Sequence, residues 1–296
     1  MSTLFCRKRA IFGSWIENSE SASVRQRRKN VQKQITTEKT LQVDISTQVQ
    51  LKLKEIEKTQ NVEVLYAVES GSRAWGFASP DSDYDVRFIY VRPAKQYLEL
   101  QPKKDFIDWE LNEVFDINGW DLSRTLQYLH KSNATFFEWA NSPIVYYESP
   151  KWSEISKLQE LYFSCKSVMY HYYGTAQKNY LEHLGEEWVS YKKYFYVLRP
   201  LLACKWIEQK ASAPPVRFDL LMEEVLEENL KPIVVDLIHT KMQMAEHEKG
   251  RRIEVLHAYI EQKLAYYREK AAKLTDDRNA DWKVLNQAFL GCLGNL

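Results

Sequence analysis

The sequence has no cysteine pattern, no long apolar run and almost no net charge, and each absence removes a class of function. Its four cysteines, Cys6, Cys165, Cys204 and Cys292, share no metal or redox spacing. A disulfide framework and a zinc ribbon are therefore excluded, and reduced thiols in a cytoplasmic protein are the expectation. No apolar stretch approaches the roughly 18 residues of a membrane-spanning helix. Forty-one Lys and Arg against 40 Asp and Glu leave a net charge of +1, so nothing pulls the whole chain toward nucleic acid. Only a local basic groove could do that. None of the six histidines falls in the i, i+4 pair of a helical zinc site. No internal repeat is visible.

What is present is a chain of 296 residues, 45% apolar and 27% charged, long enough for two domains and a tail. The first 45 residues differ from the rest. Between Met1 and Thr40, nine Lys and Arg stand against three acids, a local excess of +6, with Ser and Gln between them. That composition reads as a disordered tail or a marginal basic helix. A basic arm for RNA is the sharper reading. Glu17 and Glu20 argue against a transit peptide. A later start of translation would need a codon other than ATG, since no methionine lies between Met1 and Met169.

The function argument begins at residues 62–92, VEVLYAVESGSRAWGFASPDSDYDVRFIYVR. Val62 to Val68 is a β-branched and aromatic run that reads as a strand, ended by Gly71-Ser72. Tyr84 to Val91 reads as a second strand. Alternation along it puts Asp83 and Asp85 on one face, with Arg87 beside them to pair with an Asp. Two adjacent carboxylates repel unless a cation lies between them, and a divalent metal is the usual solution. The Gly71-Ser72 turn supplies free backbone N–H groups and a hydroxyl suited to phosphate oxygens. A phosphate cradle ahead of a metal pair fits nucleotide transfer.

Val49 to Lys58 reads as an amphipathic helix leading into the first strand. Asp105 to Ile117 shows strand-like alternation in its second half, with Asp116 at the end of the run, and Gly119 separates that strand from a helix. Leu122, Leu126 and Leu129 line one face of that helix, and Asp121 is placed to cap it. Asp116, between Phe115 and Ile117, is the leading candidate for a third carboxylate; Asp121 is the alternative. Beyond Pro150 the pattern is helical, in segments near 152–165, 166–184, 187–210, 218–229, 232–248 and 251–274. That makes a bundle, with Pro200 inside one helix and a last helix at Trp282, Leu285 and Phe289. Lys192, Tyr196 and Arg199 recur at i, i+4, i+7, as either a solvated face or a contact to phosphate or base. The expected domains are a basic tail over 1–45, a nucleotidyltransferase domain over 46–150 and a helical domain over 151–296.

Gly71 and Ser72, followed after ten residues by Asp83-Tyr84-Asp85, resemble the signature of the DNA polymerase β nucleotidyltransferase superfamily. The longer motifs ESGSRAWGF, SDYDVRFIYVRP, DINGWDL, SNATFFEWANSPIVY and YKKYFYVLRPLLACKW resemble the RNA repair pathway polymerase-β-like family, over about residues 48–290. The resemblance implies an α+β fold, a mixed-sheet catalytic domain followed by a helical bundle. It implies magnesium dependence, with manganese as a substitute, and an NTP donor. Asp83 and Asp85 would bridge the metal ions, and Asp116 would bind one and orient or deprotonate the acceptor hydroxyl. Gly71, Ser72 and Arg73 would hold the triphosphate, with Lys192 and Arg199 closing from the helical domain. An RNA end is the candidate acceptor; a protein or small-molecule acceptor is the alternative. Two rivals are a glycosyltransferase built on the same Asp-x-Asp pattern and a nucleotide- or RNA-binding module without turnover.

Overall fold

The computed structural model describes residues 45–79, 82–101, 103–243 and 249–294. The basic segment read over residues 1–45 lies outside them, Ile45 apart. The described residues from Leu53 onward form one compact unit.

Helix α1 (45–60) leads into β1 (Glu63–Glu69), the short helix α2 (Gly71–Trp75) and β2 (Tyr84–Val91). Next come α3 (Ala94–Tyr97), β3 (Phe106–Leu111), β4 (Phe115–Asp121), α4 (Leu122–His130), α5 (Ala134–Ala140) and β5 (Val145–Glu148). The rest is α6 (Pro150–Ser156), α7 (Gln159–Tyr162), α8 (Cys165–His183), β6 (Trp188–Val189), α9 (Tyr191–Lys210), α10 (Phe218–Val225), α11 (Lys231–Gln243), β7 (Gly250–Arg251), α12 (Glu254–Lys273) and α13 (Lys283–Leu293). The fold is α+β. Five strands form a mixed sheet in the order β3-β4-β2-β1-β5. β1 runs antiparallel to β2 and β5, β3 antiparallel to β4, and β2 parallel to β4.

That one parallel pair matters most. To run alongside β2, the chain must cross over through α3 and β3 and return in the same direction. The register then sets Asp85 opposite Asp116. Sequence alternation marks a strand only in the second half of 105–117; the first half is a strand too, and the two form a hairpin, β3 and β4. The turn is made by Asn112, whose Oδ1 accepts from the Val114 and Phe115 amides at 2.8 Å each. Gly119 does not end the strand either. It lies within β4, where a Cβ would come 2.3 Å from the Phe88 ring, so the missing side chain makes room for an aromatic of the neighbouring strand.

Apolar side chains of the sheet (Leu65, Val68, Ile89) and of the helices (Leu126, Phe137, Leu198, Leu201) belong to one buried cluster. Leu122, Leu126 and Leu129 are all buried on α4, as their spacing requires. Pro200 sits inside α9 without ending it. The segment near 152–165 is broken into α6 and α7, and β6 pairs with β7 in a small ribbon that the helical reading of 187–210 did not contain. Trp282 stacks on His130 of α4 with ring centres 3.7 Å apart, and Phe289 meets Tyr97 at 5.1 Å, so α13 docks on α3 and α4. No helix among the described residues is long and apolar enough to cross a membrane.

Candidate active site

The turn between β1 and α2 fixes the site. Ser70 N donates to Asp85 O at 2.8 Å, and Asp85 N donates to Glu69 Oε1 at 2.9 Å. The backbone of Asp85 is thereby clasped by the two residues before Gly71. Gly71 has φ +59°, in the left-handed region, and a Cβ built on it would lie 2.0 Å from Asp85 Oδ2. Glycine is required twice over, for the turn and for the carboxylate that lies against it. Ser72 follows in α2, and among the described residues its hydroxyl makes no hydrogen bond.

Across the sheet, Asp85 and Asp116 face each other with one guanidinium between them. Arg87 Nη2 donates to Asp85 Oδ1 at 2.8 Å and to Asp116 Oδ2 at 2.6 Å, while Nη1 donates to the Asp116 carbonyl at 2.8 Å. Arg87 thus supplies the positive charge that two apposed carboxylates demand. Burial pushes the Asp85 carboxyl above its ordinary range; the Asp83 and Asp116 charges push the same way, and Arg87 and Lys192 oppose them. Asp83, Asp116 and Lys192 are therefore all close enough to act on Asp85. Asp83 is exposed on the loop just before β2.

The acids do not yet form a closed cage. Among the described residues, no three His, Cys, Asp or Glu side chains converge on one point, because Arg87 lies between Asp85 and Asp116 and Asp83 stands on the loop. The donor chemistry nonetheless suits a hard divalent ion: carboxylate oxygens without sulfur or imidazole favour Mg²⁺ or Mn²⁺ over zinc. The Gly71 cradle around Asp85 leaves that carboxylate with no side chain packed over it from the turn.

Two other residues, Arg73 and Arg199, sit differently from the sequence reading, and Asp121 is the helix cap that was expected. Arg73 donates from Nε to Asp83 O at 3.0 Å and from Nη2 to Ser82 O at 2.5 Å, and its guanidinium lies 3.7 Å over the Tyr84 ring. Two of its three guanidinium nitrogens thus hold the loop that carries Asp83. Arg199 is 3% exposed and donates to Glu138 Oε1 at 2.8 Å and to Val216 O at 3.1 Å. It is a buried ion pair, not a surface cation. Lys192, at the head of the same α9 stripe, is the member that acts on Asp85. Asp121 caps α4, accepting from Ser123 N at 2.8 Å and from the Tyr97 hydroxyl at 3.0 Å. It lies at the far end of β4 from Asp116.

Sequence reasoning missed Glu69. It ends β1, is 1% exposed, and accepts a 2.5 Å hydrogen bond from the Tyr146 hydroxyl on β5. Burial raises its carboxyl from 4.5 to about 7 despite that bond and the one from Asp85 N. An acid closing an otherwise apolar strand, one residue before the turn, was the available signal. Lys241 of α11 was missed too: it is 7% exposed and donates to Phe77 O at 2.8 Å and Ser79 Oγ at 2.6 Å. It pins the segment between α2 and Asp83, a long-range contact that local spacing does not reveal.

The sequence matches the RNA repair pathway DNA polymerase β family over residues 45–291. The chain belongs to that family. It is 42% identical over 240 residues to YcgL, an uncharacterised protein of Bacillus subtilis, across 80% of this chain and 92% of the relative. An uncharacterised protein of Methanocaldococcus jannaschii is 29% identical over 138 residues, 46% of this chain and 56% of its own. A solved nucleotidyltransferase-like protein from Exiguobacterium sibiricum aligns over 74% of this chain and 73% of its own, at 13% identity and a TM-score of 0.29. That likeness is too loose to bear on the site. Membership makes this a polymerase-β-like nucleotidyltransferase by family.

Proposed function

We propose that the protein transfers a nucleoside monophosphate from an NTP to an acceptor hydroxyl, with an RNA end as acceptor and pyrophosphate as the other product, in the cytoplasm where both substrates are found. The observation that carries this reading is the apposition of Asp85 and Asp116 on parallel neighbouring strands, with the Gly71 turn folded against Asp85. A carboxylate pair alone is common. A carboxylate pair beside a turn that only glycine can make, followed by serine, is suited to a metal-bound triphosphate.

The chain's own residues divide the work. The Gly71 and Ser72 amides and the Ser72 hydroxyl bind phosphate oxygens and orient the donor. Asp83, Asp85 and Asp116 would hold Mg²⁺, which when bound supplies charge to the phosphates and lowers the pKa of the acceptor hydroxyl. Arg87, which now bridges Asp85 and Asp116, would release at least one of them to such an ion. Asp116, the more exposed of the bridged pair, would take the hydroxyl proton. The acceptor oxygen bonds to the α-phosphorus, the bond to the β-phosphate bridging oxygen breaks, and the electron pair leaves with pyrophosphate. Lys192, whose charge acts on Asp85, would neutralise the leaving group from α9.

The test is incubation of the full chain with each α-labelled NTP, Mg²⁺ and total RNA. Label should appear on RNA, and Asp85→Ala should abolish it without loss of fold. Labelling that persists in Asp85→Ala refutes the roles assigned here.

A further inference from the structure

A pocket of about 130 Å³ opens between α2, α5, α8 and α9, lined by Trp75, Thr135, Glu138, Thr175, Tyr196 and Arg199 among others. It is aligned with the carboxylates along two helices at once. On α2, Trp75 stands four residues after Gly71, on the same face and about 6 Å along the axis. On α9, Lys192, Tyr196 and Arg199 share one face. Lys192 acts on Asp85, Tyr196 meets Trp75 edge-on at 5.5 Å, and the Arg199 guanidinium lies 4.7 Å over Trp75. The pocket is thus one helical turn from the phosphate turn, a separation that a ribose bridges between phosphate and base.

The polar groups in it are fixed and half-used. Glu138 Oε1 accepts from both Arg199 Nη1 at 2.8 Å and the Tyr172 hydroxyl at 2.9 Å, so Oε2 carries neither bond. Arg199 donates from Nε to Val216 O and from Nη1 to Glu138, which leaves Nη2. Trp75 Nε1 is buried without a partner. A carboxylate oxygen beside a guanidinium edge is an acceptor next to a donor, held rigidly by a buried ion pair. Volume limits the occupant: an apolar cavity of about 150 Å³ holds one benzene ring, so this one suits a single six-membered ring better than a fused pair.

We propose that the pocket seats the base of the donor nucleotide and selects cytosine, an inference that rests on the transfer reaction proposed above. Cytosine presents an amine donor next to ring acceptors, and carboxylate to the cytosine N4 amine is an established base contact. Glu138 Oε2 accepts from N4, Arg199 Nη2 donates to N3 or O2, and the Trp75–Tyr196 pair forms one aromatic wall beside the ring. In that register uracil sets its O4 against the carboxylate, two acceptors face to face. Purines exceed the space.

The experiment is a titration of the full chain with each of the four NTPs, with Mg²⁺ and no acceptor, read by tryptophan fluorescence and by displacement of tripolyphosphate. CTP should bind at least tenfold more tightly than UTP, ATP or GTP. Glu138→Gln should bring CTP and UTP within threefold of each other. Should that variant fail to fold, Thr175→Phe occupies the pocket with a single ring and leaves both residues of the ion pair unsubstituted; it should erase the CTP preference and leave tripolyphosphate binding unchanged. Four NTPs binding within threefold of one another, or any other base preferred, overturns the pocket assignment and leaves the transfer reaction standing. If no NTP binds while the chain is folded, both fall.

Discussion

Replacing Gly71 by alanine separates the site's geometry from the backbone's tolerance, because a second glycine serves as its control. Gly71 and Gly76 flank α2, and both have positive φ, +59° and +89°. Forcing a side chain into the left-handed region costs about 1–2 kcal/mol at either position, and in a chain of this size about 2–4 °C of Tm per kcal/mol. Both variants should therefore melt a few degrees below the native chain. Their surroundings differ. A Cβ on Gly76 meets nothing nearer than Arg217 Nε at 4.0 Å, whereas one on Gly71 lies 2.0 Å from Asp85 Oδ2 and 2.9 Å from its Cγ. Gly71→Ala must displace the carboxylate by more than an ångström and loosen its bond to Arg87. A misplacement of that size costs on the order of 100-fold in rate. In a nucleotide-transfer assay, Gly71→Ala should fall by that factor or more, and Gly76→Ala should stay within about threefold of native. Equal losses in the two variants, or full activity in Gly71→Ala, would show that the approach of Gly71 to Asp85 is not part of the working site.

Other outcomes follow from the same contacts. Arg87→Met removes the cation between Asp85 and Asp116 and should cost about 1–3 kcal/mol in chelator. Mg²⁺ should recover more Tm in this variant than in the native chain, and an identical metal shift in both would remove Arg87 as a competitor of the ion. Glu69 is raised from 4.5 to about 7 by burial, so the stability it permits is full below pH 4.5, falls as pH rises toward 7 and is gone above. The loss amounts to about 3 kcal/mol at most. Glu69→Gln should remove that slope; denaturation curves of the two proteins running parallel from pH 4 to 8 would count against it. Arg199→Met strands Glu138, whose carboxyl burial pushes up and whose Arg199 and Tyr172 partners hold it below its ordinary range. Chemical denaturation should show a loss of about 3–5 kcal/mol, and a loss under 1 kcal/mol would mean the pair is not sealed.

Sequence legibility followed contact range. Strands β1 and β2, the Gly71-Ser72 turn and helix α4 are written in local alternation, turn chemistry and i, i+4, i+7 spacing, and the structure places them accordingly. The β3–β4 hairpin was hidden because Asn112 makes its turn through side-chain bonds without glycine or proline. Gly119, which looks like punctuation, answers to the Phe88 ring of another strand. Arg73 and Arg199 look available in sequence since charge is visible there and partners are not. One stacks on Tyr84 eleven residues on, and the other pairs with Glu138 on a different helix. Glu69 and Lys241 were silent for the same reason, as their partners Tyr146 and Phe77 are distant in the chain.

The central claim is that Asp85 and Asp116 jointly serve nucleotidyl transfer. Pyrophosphate release with RNA, Mg²⁺ and the four NTPs, followed for the native chain, Asp85→Asn and Asp116→Asn, tests it most directly. One pyrophosphate should appear per nucleotide added by the native chain, and both amide variants should lose at least 100-fold while melting cooperatively. Pyrophosphate release by either variant at the native rate, or none by the folded native chain with any NTP, would contradict it.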